Sequence, residues 1–91
     1  MAMIAAWLRV DGERVVQDLQ EAVEKLDNAD GELVLDFASV RRLDPGAVKA
    51  MEKLAGIADD KTVRVVLRGV NVEIYKVLKL VKLARRFSFV T

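Results

Sequence analysis

Two carboxylates, Asp36 and Asp44, bracket the short run Phe37-Ala-Ser-Val-Arg-Arg-Leu43, and they are the residues here whose type and spacing first suggest chemistry. Two acids brought together by a loop can divide acid and base roles or hold a cation. Both chemistries need helpers, and the sequence is poor in them. It contains no His and no Cys, which removes the commonest general base, the commonest metal ligand and the thiol nucleophile. Hydroxyl side chains other than Tyr75 occur only at Ser39, Thr62, Ser88 and Thr91, so no nucleophile–base arrangement can be drawn. Neither a Walker sequence nor a GxGxxG loop is present to cradle phosphate. A strand-end Asp ordinarily serves the backbone N–H groups of the loop it enters. Catalysis, a metal site and a cofactor are therefore not expected, and the short loop points instead to binding.

The elements that would position such a loop can be read from apolar spacing. Ile4 to Val10 is an apolar run of strand length, broken by Asp11-Gly12. From Glu13 to Leu26, the residues Val15, Val16, Leu19, Ala22, Val23 and Leu26 recur at helical spacing, with Arg14, Asp18, Glu21, Glu24 and Lys25 on the opposite face. Glu32 to Phe37 predicts a second strand, whose continuous Leu33-Val34-Leu35 suits a strand covered on both sides or one at the centre of a sheet. Asp44-Pro45 marks a helix start: Asp caps the first turn, and Pro loses no hydrogen bond at the first helical position. The buried face of that helix is Ala47, Val48, Met51, Leu54, Ala55 and Ala58, and Asp59-Asp60-Lys61 is expected to be the turn that ends it. Thr62 to Leu67 predicts a third strand. Asn71 should cap a third helix with Ile74, Val77, Leu78 and Val81 inward, and Phe87 to Val90 a fourth strand.

The expected architecture is thus α/β: one β-α-β-α-β-α-β domain over residues 1–91, with a mostly parallel four-stranded sheet. Ninety-one residues suffice for one core and not for two. A hydrophobic share of 53% with 32% charged residues is that of a folded globular protein. The N-terminal apolar run is too short to span a bilayer and lacks a basic leader, and a cytoplasmic location is expected. Charge is unevenly spread: residues 1–60 hold 7 Lys or Arg against 13 Asp or Glu, and residues 61–91 hold 8 against 1.

Asp36, Val40, Leu43, Asp44, Val48, Met51, Gly69-Val70 and Leu83, taken in this order, resemble the STAS domains of anti-sigma factor antagonists and anion-transporter tails. The resemblance runs from about Glu13 to Val90. Gly69-Val-Asn-Val-Glu-Ile-Tyr75 is also similar to the STAS subunits of bacterial phospholipid-transport complexes. The family motif reads Asp-Ser-Ser/Thr-Gly, and this chain has Asp44-Pro45-Gly46-Ala47 in its place. Gly46 stands at the phosphorylatable position, and no Ser or Thr occurs between Val40 and Lys61. The resemblance implies a minimal or divergent member without the phosphoryl switch, having one strand before its first helix and no terminal helix.

It further implies a protein partner, an anti-sigma factor kinase or the ATPase of a transport complex, docked on Asp44, Pro45, Gly46, Ala47, Lys49, Glu52 and Lys53. An alternative is an anion-, nucleotide- or lipid-surface-binding domain using Arg68, Asn71, Lys76, Lys79 and Lys82, with Arg85 and Arg86 following. Leu80 falls off the inward stripe among these lysines. Nucleic acid and membrane contact are disfavoured because Tyr75 alone offers an aromatic ring in this helix. Sheet edges left open would favour a homodimer.

Overall fold

The computed structural model describes residues 6–29 and 31–90. Strand β1 (Ala6–Arg9) leads to helix α1 (Val15–Lys25), which tightens into a 3-10 turn at Leu26–Asn28. Then follow β2 (Glu32–Asp36), α2 (Pro45–Asp60), β3 (Arg64–Arg68), α3 (Val72–Leu80), a 3-10 turn at Ala84–Arg86 and β4 (Ser88–Val90). The expected element order is the observed one; Ile4 and Ala5 of the first expected strand lie outside the described residues.

The strands lie in sequence order, β1-β2-β3-β4, and every pairing is parallel. A right-handed crossover at each of three steps in one direction sets every helix on the same face of the sheet. The core confirms this. Leu33, Leu35, Val65 and Leu67 join one cluster with Leu19 and Ala22 of α1, Met51 and Leu54 of α2, and Ile74 and Leu78 of α3. Each Leu, Val, Ile or Met among them, fully buried, contributes about 1.5–3 kcal/mol by leaving water.

The other face carries Trp7, Val34, Val66 and Ser88 in register, and beside them Arg9, Asp36, Arg68 and Val90. No helix of the described residues covers it, so of the two expected reasons for the apolar run of β2 the structure selects its place inside the sheet, between β1 and β3, over cover on both faces. Unlike charges alternate across this face, Arg9–Asp36–Arg68 in one row and Glu32 opposite Arg64 in another, and Arg64 Nε donates to Ser88 Oγ at 2.9 Å. Such rows keep an uncovered sheet wetted.

Three further expectations need correction. Asp18 is buried although its spacing put it on the solvent face of α1, because its carboxylate accepts the Asp11 N–H at 2.8 Å. Val81 is exposed, since α3 ends at Leu80 and the chain turns there. Helix α2 runs through Asp60, and Thr62 is a left-handed residue at φ 57° beyond its end rather than the start of β3. The Thr62 N–H donates to Asp59 O and the Val63 N–H to Ala58 O, satisfying the last carbonyls. Lys82, at φ 64°, ends α3 by the same arrangement.

Candidate docking site

Three loops leave the carboxyl ends of β1, β2 and β3, and they are knitted into one surface. The Ser39 hydroxyl donates to Val10 O at 3.0 Å. A Cβ on Gly12 would lie 2.3 Å from Ser39 O, so only glycine lets the first loop pass the second this closely. Gly69, at φ 74°, brings the third loop against the backbone of Ala38 in the same way.

Three polar side chains of this surface, Asp36, Asp44 and Asn71, are occupied in holding it. Asp36 Oδ1 accepts the Ala38 N–H at 2.9 Å, turning the chain out of β2. Asp44 Oδ1 accepts the Ala47 N–H at 2.8 Å and caps α2, with Pro45 at the first helical position as expected. Asn71 caps α3 through Ile74 N at 2.8 Å, while its amide donates to Val40 O at 3.3 Å and Arg41 O at 3.1 Å. Asp36 and Asp44 thus serve separate turns, which accounts for both without acid–base chemistry. Asn71 ties the third loop to the second, a role its spacing did not reveal.

Beside this surface the outer faces of α1 and α2 form a groove. Gly46 stands at one end of it, Val16, Val23 and Ala50 supply apolar walls, and Lys49, Lys53, Gln20 and Glu24 form polar rims. A Cβ on Gly46 would meet the capping Asp44 Oδ1 at 3.3 Å and Val16 Cγ2 at 3.7 Å. Local crowding therefore accounts for part of the preference for glycine in the first turn, and the rest of its face is open to solvent.

Of the residues expected at a partner interface, Gly46, Lys49 and Lys53 come together here. Asp44 and Pro45 are exposed at the helix start, and Glu52 is exposed away from the groove. Ala47 is 2% exposed, a correction to its expected contact role: its position in the first turn points its methyl inward. The α1 residues Val16, Gln20, Val23 and Glu24 were missed, because only helix packing brings them beside Gly46.

Comparison with known proteins decides the family. The family model described as Mlab, STAS domain matches residues 4–91. The chain belongs to the STAS family. A crystal structure from Thermotoga maritima, of a candidate anti-sigma factor antagonist, shares the fold of this STAS chain with a TM-score of 0.70. That likeness covers 90% of this chain and 71% of the other at 14% identity, and it is a likeness of fold. A search of the curated proteins gives no match. Gly46 lies where the sheet's carboxyl-end surface meets the α1–α2 groove.

The basic residues of this STAS chain divide. Arg68 lies at the end of β3 on the uncovered sheet face, and Asn71 is committed to backbone partners. Lys76 is exposed on α3. Lys79 and Lys82 instead meet Arg85 and Arg86 around Tyr75 and Phe89, whose rings stand edge to face at 5.2 Å and 76°. The five residues expected to bind an anion therefore do not converge on one point. No helix of the described residues is long and apolar enough to cross a membrane.

Proposed function

We propose that this chain is a non-enzymatic regulatory module of the STAS family that docks a protein partner over Gly46 and along the α1–α2 groove. One observation carries the reading: Gly46, at the family's motif position, opens onto an apolar groove rimmed by Lys49 and Lys53. Membership of the STAS family supports it, as does the commitment of Asp36, Asp44 and Asn71 to backbone hydrogen bonds. What such a surface offers is shape and an apolar strip, which suits recognition of another protein. Residues 1–91 act as one domain in this reading.

The partner is an ATPase-type protein, either the ATPase of a transport complex or a kinase-type anti-sigma factor. Docking is constitutive, because Gly46 has no hydroxyl to accept a phosphoryl group. The test is co-purification with the ATPases encoded beside this gene, comparing the native chain with Gly46→Asp. Asp is acceptable in the first turn of a helix, so the variant should stay folded while charge and bulk lower retention about tenfold, equivalent to about 1.4 kcal/mol. Undiminished retention overturns this surface. Incorporation of labelled phosphate by a partner kinase would overturn the unswitched reading alone.

A further inference from the structure

We propose a second docking site, on the groove between α3 and β4, for an acidic amphipathic segment of a protein partner. It lies beside the last strand of the β1-β2-β3-β4 order, whereas α1 and α2 follow the first two strands. It is independent of the Gly46 surface.

The apolar part of the groove comes from the sheet's open end. Leu8, Leu35, Leu67 and Phe89 form one row across the helix-covered face. Leu35 and Leu67 are fully buried, but Phe89 is only half-buried because no further helix of the described residues lies over β4. Around it Val72 is 67% and Tyr75 42% exposed, and these join Val70 in an apolar strip that reaches round the end of the edge strand to Val90, 49% exposed on the opposite face. Exposed apolar side chains gathered in this way, rather than scattered singly, mark an interaction surface.

Charge identifies the occupant. The strip runs into Lys79, Lys82, Arg85 and Arg86. Among the described residues only Arg86 of these has an ion-pair partner, Asp59. Glu73 is the one acid in residues 61–91, and no acid is among the residues that line this part of the groove. Lys82 holds the left-handed conformation at the end of α3, a position where glycine is the ordinary choice. The concave wall formed by Tyr75 and Phe89 suits a segment lying alongside α3 better than a flat bilayer. The exposed Leu80 falls outside that wall. A segment with Leu on one face and Glu along its edges complements both parts, in the helix-in-groove manner.

The probe is a fluorescein-labelled helical peptide of about 14 residues, long enough to run the length of α3, carrying Leu on one face and Glu elsewhere. Its binding to the full chain is followed by fluorescence anisotropy, with amide shifts recorded by NMR. Saturable binding with shifts in residues 70–90 is expected. Lys79→Glu with Arg85→Glu should weaken it at least about tenfold, and Lys82→Gly about threefold, in proportion to the charge removed. Lys82→Gly relieves backbone strain and stays folded, so its loss of binding cannot come from unfolding. Equal binding of a Leu–Lys peptide, or shifts confined to α1 and α2, overturns the proposal. Cosedimentation with phosphatidylserine vesicles that the acidic peptide does not displace assigns the groove to a membrane instead. Concentration-dependent dimerisation abolished by Arg85→Glu assigns it to a second copy. Both overturn the partner assignment.

Discussion

The groove beside Gly46 and the groove beside Phe89 are both made by a helix and its neighbour, yet they present opposite things. At the first, Asp44 is committed to capping α2, and the groove offers a shaped apolar strip rimmed by Lys49, Lys53, Gln20 and Glu24. At the second, cations gather with no acid among the lining residues, and the apolar surface is the unsealed end of the core. The difference follows from position. Helices α1 and α2 pack on one another, and their groove lies on their outer faces. Helix α3 closes one side of β4 and leaves the other open.

The sharpest way to break this contrast is at Gly12. A Cβ there would lie 2.3 Å from Ser39 O, a backbone atom that cannot move without displacing both loops. Gly12→Ala should destabilise by about 2–3 kcal/mol, as strain at a close backbone approach does, measured by urea unfolding. It should also impair docking at Gly46 and leave the acidic peptide bound at the far edge. Loss of both activities in protein that is still folded would mean that the two surfaces are coupled. Next is Asn71→Ala, which removes the α3 cap and two bonds to the second loop. A cost of about 1–2 kcal/mol is expected, with amide shifts spreading into residues 38–44. Asp44→Ala should cost about 1 kcal/mol through the α2 cap alone, its shifts confined to the first turn of α2.

The smallest effects compare the two helix ends. Thr62 and Lys82 occupy equivalent left-handed positions after α2 and α3. Replacing either with Gly should raise stability by about 1 kcal/mol, read as a shift in the urea midpoint. Only the Lys82 variant should lose affinity for the acidic peptide. Equal loss at Thr62 would show that the Lys82 charge is not what the peptide recognises.

Much of this arrangement was legible in the residues themselves. Asp44-Pro45 and Asn71 announced two helix starts because capping is local, depending on side chains three residues from the N–H groups they serve. The alternation of short apolar runs with helical stripes gave the element order for the same reason. Asp18 was misplaced because its partner, the Asp11 N–H, belongs to a loop seven residues away. The end of α2 was read two residues early, since Asp59-Asp60-Lys61 has turn composition but the helix is closed by bonds to Thr62 and Val63.

Sequence alone therefore determined the elements, their order, the parallel sheet and the glycine at the motif position, all of which rest on nearest neighbours and on the handedness of crossovers. Tertiary structure decided which surfaces those elements make. It placed Val16 and Val23 of α1 beside Gly46, committed Asn71 to the second loop, and separated Arg68 from Lys79 and Lys82. It also left Phe89 half-open at the sheet's last strand. Spacing along a chain records which face of one helix is apolar. Which second element meets that face, and where the sheet stops being covered, depends on residues tens of positions apart.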